Sequence, residues 1–224
     1  MDASQGPSVL IVACGALARE LGVILEANGL DWISVEYLPA MLHNRPSGIP
    51  DAVEARLDRA EGRYDQILIG YGDCGTGGRL DEICRRRGVS RLPGDHCYEL
   101  FAGEEVFAAL HEAEPGTFYL SDYLATHFQR LVIDQLGIEL HPELVEAYFG
   151  NYRKLVYLSQ RHDPAVVAKA EGAAERLGLE FEHRPTGYGD LASTIVEVAS
   201  YVAERYRVDG PDPSETATQT RGEQ

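Results

Sequence analysis

Three of the four cysteines lie where predicted β-strands end. Cys14 closes the apolar run "SVLIVACG", Cys74 lies inside the glycine-rich turn "GYGDCGTGG", and Cys97 follows the short stretch "VSRLPG". In an open sheet of parallel strands, ligands bind beside the loops that leave the carboxyl ends of the strands. We therefore expect these three side chains to converge on one cleft.

Three converging thiols suit a metal centre. Thiolates bind zinc and iron–sulfur clusters, and three protein ligands leave one position open, which is typical of a catalytic zinc site. The sequence thus predicts that Cys14, Cys74 and Cys97 bind zinc or a [4Fe-4S] cluster, although it contains no C-x-x-C pair. Two other interpretations stay open: the thiols are inert and buried in the core, or Cys74 is a metal-free catalytic thiol. Cys84, inside "DEICRRRG", falls on a predicted helix and is assigned to the core.

The turn around Cys74 also suits an anion. Four of the eight residues in "YGDCGTGG" are glycines, so backbone N–H groups can approach a ligand closely, and the start of the following helix favours negative charge. We predict that Gly72, Gly75, Thr76 and Gly77 bind a ligand there. The turn matches neither the P-loop nor the dinucleotide fingerprint. A tight turn whose glycines adopt positive φ angles is the alternative.

Two more residues at these strand ends are candidates for catalysis alongside Cys74. Asp73 precedes it in the same turn, and His43 lies in the loop "LHNRPSGIP" after the second predicted strand. His43 would act as a general acid or base or as a fourth metal ligand, and a surface or capping histidine is the alternative. Cys97 is a stronger candidate than its neighbour His96, because adjacent side chains usually diverge. 

The composition excludes some classes of partner. The chain has 224 residues, 44% of them hydrophobic, and its 36 acidic and 20 basic residues give a formal net charge of −16. Such a charge repels phosphate backbones and anionic lipids, so we expect no nucleic-acid or membrane partner. No basic leader precedes the first apolar run, and no run approaches the ~18 apolar residues of a membrane helix. We therefore expect a cytoplasmic protein whose cysteines are reduced thiols.

Alternating strand and helix patterns position these residues. Short apolar runs predict strands at 8–15, 31–39, 64–72, 89–94, 116–121, 153–160 and 179–187. Helical spacing of apolar residues predicts helices at 16–29, 49–63, 78–88, 96–113, 122–138, 141–152, 163–178 and 190–206. On the fifth of these helices, Tyr123 and His127 are four residues apart and would share one face, lining a pocket or belonging to the core.

This order of elements is typical of an α/β fold. We predict a doubly wound, mostly parallel sheet with helices on both faces. It would form one domain over residues 7–207, or two similar α/β halves at 7–114 and 115–207. Residues 208–224 are polar and lack apolar periodicity, so we predict a disordered tail there.

A series of motifs resembles one known family. The chain contains, in order, "ACG", "LPAMLHNRP", "YGDCGTGG", "GDHCYELFAG", "EPGTFYLSDYL", "HPELVEAYFGNY" and "VYLSQRHDP". Together, over most of residues 8–200, they are similar to the family called domain of unknown function 1638. The resemblance implies an association with bacterial and archaeal one-carbon pathways, near corrinoid-dependent methyltransferases and their reductive activators. It also favours Cys14, Cys74 and Cys97 as the functional set.

Three hypotheses follow from the residues and the resemblance. The first is a zinc or iron–sulfur protein of corrinoid-linked methyl transfer, with a small-molecule ligand and a corrinoid protein or methyltransferase as its partner. The second is a non-catalytic accessory protein that docks on a corrinoid protein or its activase. The third is a metal-free thiol enzyme that uses Cys74.

Overall fold

The computed structural model describes residues 7–209, with side chains described as far as Tyr206. Within this range the strands are β1 (Val9–Cys14), β2 (Ile33–Leu38), β3 (Gln66–Gly70), β4 (Ser90–Arg91), β5 (Thr117–Leu120), β6 (Lys154–Ser159) and β7 (Glu180–Pro185). The α-helices are α1 (Ala18–Ala27), α2 (Ile49–Ala60), α3 (Arg79–Arg87), α4 (Cys97–Ala102), α5 (Glu104–Ala113), α6 (Asp122–Thr126), α7 (Leu144–Phe149), α8 (Pro164–Leu177) and α9 (Gly189–Asp209).

The strands form two parallel sheets. The first has the order β2-β1-β3-β4 and the second has the order β5-β6-β7. All strand pairs in the described range are parallel, and helices connect the strands. The predicted α/β class with two similar halves is confirmed. Each half has its own parallel sheet, whereas the sequence predicted a single sheet.

Strand β1 of the first sheet is buried on both faces. Every residue of β1 is buried, as expected for a central parallel strand covered by helices. The packing against β3 is close, because a Cβ atom on Gly70 would lie 2.6 Å from the Cβ of Ala13. Glycine at this position therefore lets β1 and β3 pair in register, with Ala13 opposite Gly70.

The second sheet packs its two faces against different helices. Leu155 and Tyr157 of β6 belong to a core shared with α6 and α8. Val156 and Leu158 point to the other face, where Phe107 of α5 covers them. This alternation follows from the two-residue period of a strand. Helix α4 contributes to both sides, with Leu100 and Phe101 in the first core and Tyr98 against the second sheet.

The last helix returns to the first core. Leu191, Ile195, Ala199 and Val202 of α9 are buried in the same cluster as β1 and α1. A division of the chain at residue 115 would therefore separate α9 from the core to which it belongs. The predicted tail begins inside this helix, since residues 208 and 209 close α9, and residues 210–224 lie outside the described residues.

Two predicted helices are broken. The helix predicted at 96–113 is interrupted at Gly103, whose φ of 83° lies in a region that suits glycine, and it becomes α4 and α5. The helix predicted at 122–138 becomes α6 followed by a π-helical turn at Gln129–Ile133, in which the Asp134 amide donates to the Gln129 carbonyl at 2.9 Å. No helix in residues 7–209 is long and apolar enough to cross a membrane.

Candidate functional site

A cavity of about 250 Å³ lies where the carboxyl end of the first sheet meets the start of α6. Its lining includes Cys14, Cys74 and Cys97, together with His43 and Tyr71. The three cysteines reach it from separate segments: the end of β1, the turn after β3 and the first residue of α4. The three cysteines therefore line one cavity, as their positions after the predicted strands led us to expect.

Cys14 and His43 are in contact. The Cys14 Sγ accepts a hydrogen bond from the Ala16 amide at 3.3 Å and lies 3.4 Å from the His43 Nδ1. The short 3-10 helix Ala40–Asn44 carries His43, and the imidazole stacks on the Tyr71 ring with centroids 6.1 Å apart. The buried Tyr71 hydroxyl lies near the Cys14 sulfur but makes no hydrogen bond of ordinary geometry.

The turn that carries Cys74 has an unusual backbone. Cys74 has a φ of 51°, and among residues 7–209 it is the one non-glycine with a positive φ. Its amide donates to the Asp95 carbonyl at 2.8 Å, and the Asp73 amide donates to the Gly94 carbonyl at 3.0 Å. A Cβ on Gly72 would lie 2.9 Å from the same Gly94 oxygen. The turn is therefore clamped to the loop before α4, which brings Cys74 and Cys97 to one cavity.

Asp73 fills this turn with its own carboxylate. It accepts hydrogen bonds from the Thr76 hydroxyl at 2.8 Å, the Gly77 amide at 3.1 Å and the Gly78 amide at 2.8 Å. Burial alone would raise the pKa of Asp73, but these hydrogen bonds outweigh it and lower the pKa. Its contacts are those of a carboxylate that orders the start of α3. The catalytic role of Asp73 and the ligand-binding role of Gly72, Gly75, Thr76 and Gly77 stay predictions.

The cavity disfavours charged groups. Burial raises the pKa of Cys14 and of Cys97, and it raises the pKa of Cys74 to about 12, with the neighbouring Cys14 adding to the effect. Burial lowers the pKa of His43. Without a ligand the thiols are therefore protonated and the imidazole neutral at pH 7. Among the described residues, no Asp, Glu, Lys or Arg lines the cavity.

The donor atoms suit a soft metal, but they are not yet arranged around one. Three thiols and an imidazole are ligands typical of zinc, and thiols alone suit iron–sulfur clusters. As the side chains stand, the described part of the chain holds no group of three or more His, Cys, Asp or Glu residues in position to bind an ion. Metal binding would therefore require side chains of the cavity wall to turn toward a common point.

The remaining candidate residues differ in their positions. His96 lines the cavity at an exposed position and stacks on Tyr98. Tyr123 also lines the cavity, while His127 contacts its ring from outside, with centroids 4.6 Å apart. Cys84 lies on α3 and packs, half-buried, against the first core.

The second half of the chain closes the cavity with residues that the sequence analysis did not select. Ser121, Leu124 and Leu131 line it, and Leu131 lies in the π-helical turn. The Asn44 side-chain amide donates to the Leu131 carbonyl at 3.1 Å, which joins the His43 loop to this turn. No periodic pattern in the sequence announces a π-helical turn, so this wall of the cavity had no detectable signal.

A buried polar network lies beside the cavity. The Asp122 Oδ1 accepts hydrogen bonds from the Tyr157 hydroxyl at 2.7 Å and from the Gln160 backbone amide at 3.0 Å. The Asp122 Oδ2 lies 3.3 Å from the Arg161 Nε. Glu20 of α1 is buried and its Oε2 has no hydrogen-bond partner. Burial first, and the nearby Asp122 next among the charged groups, raise the pKa of Glu20. The burial of Glu20 could have been predicted from the sequence, because Glu20 lies on the apolar face of its helix, three residues after Leu17 and four before Ile24.

Comparison with protein-family models places most of this chain in one family. Residues 37–195 match the model described as "Protein of unknown function (DUF1638)". The match contains His43, Cys74 and Cys97 and begins after Cys14. No curated protein matches the chain. Because the matched range covers well over half of its residues, the chain belongs to the DUF1638 family.

Proposed function

We propose that this protein binds a soft metal, as zinc or an iron–sulfur cluster, through Cys14, Cys74 and Cys97, and acts in corrinoid-linked methyl transfer. One observation carries the metal-binding part: three cysteines from three separate segments line a single cavity of about 250 Å³. Thiols that meet in this way at the carboxyl ends of parallel strands occupy the usual ligand-binding edge of an α/β fold. His43, in contact with Cys14, is the candidate fourth ligand.

The polarity of the cavity supports a metal over a free thiolate. Burial holds the three thiols in the protonated form at pH 7. A protonated thiol is a poor nucleophile, whereas a bound cation stabilises the thiolate and releases its proton. When bound, zinc would supply a thiolate able to accept a methyl group, and a cluster would supply an electron carrier or an open iron.

Each residue has a part in this proposal. Cys14, Cys74 and Cys97 would hold the metal, and the Ala16 amide, which already donates to Cys14, would support its thiolate. His43 would coordinate the ion as a neutral imidazole, the form that burial favours. Leu17, Leu124 and Leu131 of the cavity wall would keep bulk water from the thiolates.

The corrinoid context comes from the family resemblance. It predicts a corrinoid protein or a methyltransferase as the partner, and a purified corrinoid protein added to the metal-loaded chain would test it. The assay starts from the methyl-Co(III) form of the corrinoid protein and a small thiol as acceptor: transfer of the methyl group to the thiolate breaks the Co–C bond, leaves Co(I) and changes the visible spectrum. A spectrum that stays unchanged with the wild-type chain would contradict the methyl-transfer part, while leaving metal binding to its own test.

A second candidate is a metal-free thiol enzyme that uses Cys74. Its positive φ is the observation in favour, since strained backbone collects at functional sites. This candidate predicts that Cys74→Ser abolishes activity while Cys14→Ser and Cys97→Ser leave it intact. The metal site predicts loss with each of the three.

Metal content tests the proposal directly. We expect protein purified without oxygen to contain zinc, or to contain iron and sulfide with a broad absorption band in the visible. Cys14→Ser, Cys74→Ser and Cys97→Ser should each lower the bound metal at least tenfold, whereas Cys84→Ser is the matched control and should retain it. Metal-free wild-type protein that also fails to bind added Zn²⁺ or a reconstituted cluster would overturn the proposal.

A further inference from the structure

The Tyr71 hydroxyl lies near the Cys14 sulfur, but the contact is not a hydrogen bond of ordinary geometry. Tyr71 is 1% exposed, its ring lines the cavity, and its hydroxyl has no hydrogen-bond partner of ordinary geometry. A buried hydroxyl left unpaired costs free energy unless a partner arrives with the ligand. The unpaired donor therefore points to an acceptor atom on a molecule that enters the cavity.

Three other polar groups of the wall are already engaged. The Ser121 hydroxyl accepts from the Leu124 amide at 3.4 Å, and the Asn44 side-chain amide donates to the Leu131 carbonyl. His43 is paired with Cys14. Tyr71 thus differs from these three in having its hydroxyl available for a ligand.

The wall also restricts the charge of that ligand. Its described lining residues include no Asp, Glu, Lys or Arg. Apolar side chains such as Leu17, Leu100, Phe101 and Leu124 make up much of the rest. A carboxylate, phosphate or ammonium ion would lose its hydration there and gain no counter-charge. An uncharged molecule would lose much less.

The size of the cavity sets an upper limit. A dry apolar cavity of about 150 Å³ holds benzene, so the 250 Å³ found here can hold one substituted ring or an aliphatic molecule of similar bulk. The exposed residues Asn44, Gly75 and His96, which also line it, mark where such a molecule would enter.

We propose that the cavity binds a small uncharged organic molecule of about this size, and that the Tyr71 hydroxyl donates a hydrogen bond to its carbonyl or similar neutral acceptor. The inference rests on the proposed function in one respect, that the thiol-lined cavity is the working site. It adds the chemical class of the ligand and the residue that orients it.

Four probes of similar shape test whether the cavity of the 224-residue chain excludes charged ligands, by calorimetry or ligand-observed NMR. Acetophenone carries a neutral acceptor, toluene has none, and benzoate and benzylammonium carry opposite charges. We expect acetophenone to bind at least tenfold more tightly than either ion. Equal binding of an ion, or no detectable binding of acetophenone, would overturn the inference.

A pair of variants tests the role of Tyr71. Tyr71→Phe should weaken acetophenone binding about tenfold, the effect of one lost hydrogen bond, and leave toluene binding unchanged. Tyr119→Phe is the matched control, because Tyr119 also has a buried hydroxyl without a partner but lies outside the cavity lining. Equal acetophenone affinity in wild type and Tyr71→Phe would overturn the assignment of Tyr71.

The same samples separate this inference from the metal proposal. Each is measured as purified and after treatment with a chelator, with the metal content determined in parallel. Ring binding in protein that takes up no metal would support the ligand class and contradict the metal site. Metal binding without acetophenone binding would support the metal site and contradict the proposed ligand class.

Discussion

The Sγ of Cys14 lies 3.4 Å from the Nδ1 of His43, and burial lowers the pKa of that histidine. At pH 7 the contact therefore joins a neutral thiol to a neutral imidazole, and the imidazole tautomer decides which of the two donates. It is a hydrogen bond between neutral groups at the wall of the cavity.

The lowered pKa of His43 predicts a pH dependence of stability. In the unfolded chain the histidine binds a proton near pH 6.5, whereas the folded protein resists this, so stability rises with pH across the window below pH 6.5. We expect His43→Gln to remove a slope of at most about 1.4 kcal/mol per pH unit. Denaturant unfolding between pH 5 and pH 7 measures it. His162→Gln, at an exposed position, is the control, and an unchanged slope in His43→Gln would contradict the assignment.

The raised pKa of Glu20 predicts the opposite pH dependence, in which stability falls as the pH rises. Its pKa is raised in the folded protein, so its ionisation costs stability at every pH above the folded pKa, and the cost disappears as the pH falls to 4.5. We expect Glu20→Gln to raise the free energy of unfolding by about 1 kcal/mol at pH 7.5 and by less at pH 5. Glu26→Gln, exposed on the same helix, should change little. A destabilised Glu20→Gln at pH 7.5 would show that the carboxylate is paired and favourable.

The backbone at Cys74 predicts a reversal between two substitutions. Alanine is strained at a φ of 51° and glycine is not, so Cys74→Gly should be more stable than Cys74→Ala by about 1 kcal/mol. At Cys14, whose φ is −64°, the order should reverse by a similar amount. Urea unfolding of the four variants measures both differences. The same order at both positions would refute the strained conformation at Cys74.

Gly70 predicts a steric limit between β1 and β3. A Cβ there would lie 2.6 Å from the Ala13 Cβ, inside the closest approach of two carbon atoms. We expect Gly70→Ala to lower the free energy of unfolding by about 1–3 kcal/mol through overpacking. Gly22→Ala is the matched control: Gly22 lies on α1 with no atom within 4 Å of the added carbon, and the change should stabilise by about 0.5–1 kcal/mol. Thermal unfolding of both variants measures whether each substitution lowers or raises the stability of the protein.

Much of the fold was predictable because local patterns agree with it. The continuous apolar run of β1 and the caps of α8, with Asp163 before it and Gly178 after it, follow rules that need no tertiary context. The shared cavity of Cys14, Cys74 and Cys97 was also predictable, since Cys14 ends β1 and the other two lie in the segments that follow β3 and β4. These features depend on chain order alone.

The rest depended on contacts between distant segments. The role of Asp73 is set by the amides of Gly77 and Gly78, which a glycine-rich turn does not specify in advance. The Leu131 wall arises from a π-helical turn, whose extra residue leaves no mark on an apolar period. In the sequence Tyr71 is one more residue of a predicted strand. Only the packing around its ring leaves its hydroxyl without a hydrogen-bond partner.

The return of α9 to the first core has a consequence for synthesis. The amino-terminal sheet leaves the ribosome early, but four residues of its core are translated only after the whole second sheet: Leu191, Ile195, Ala199 and Val202. Until they emerge, the nascent sheet exposes an apolar strip of the kind that promotes misassembly and that chaperones bind. The order of translation thus delays completion of the half of the molecule that is made first.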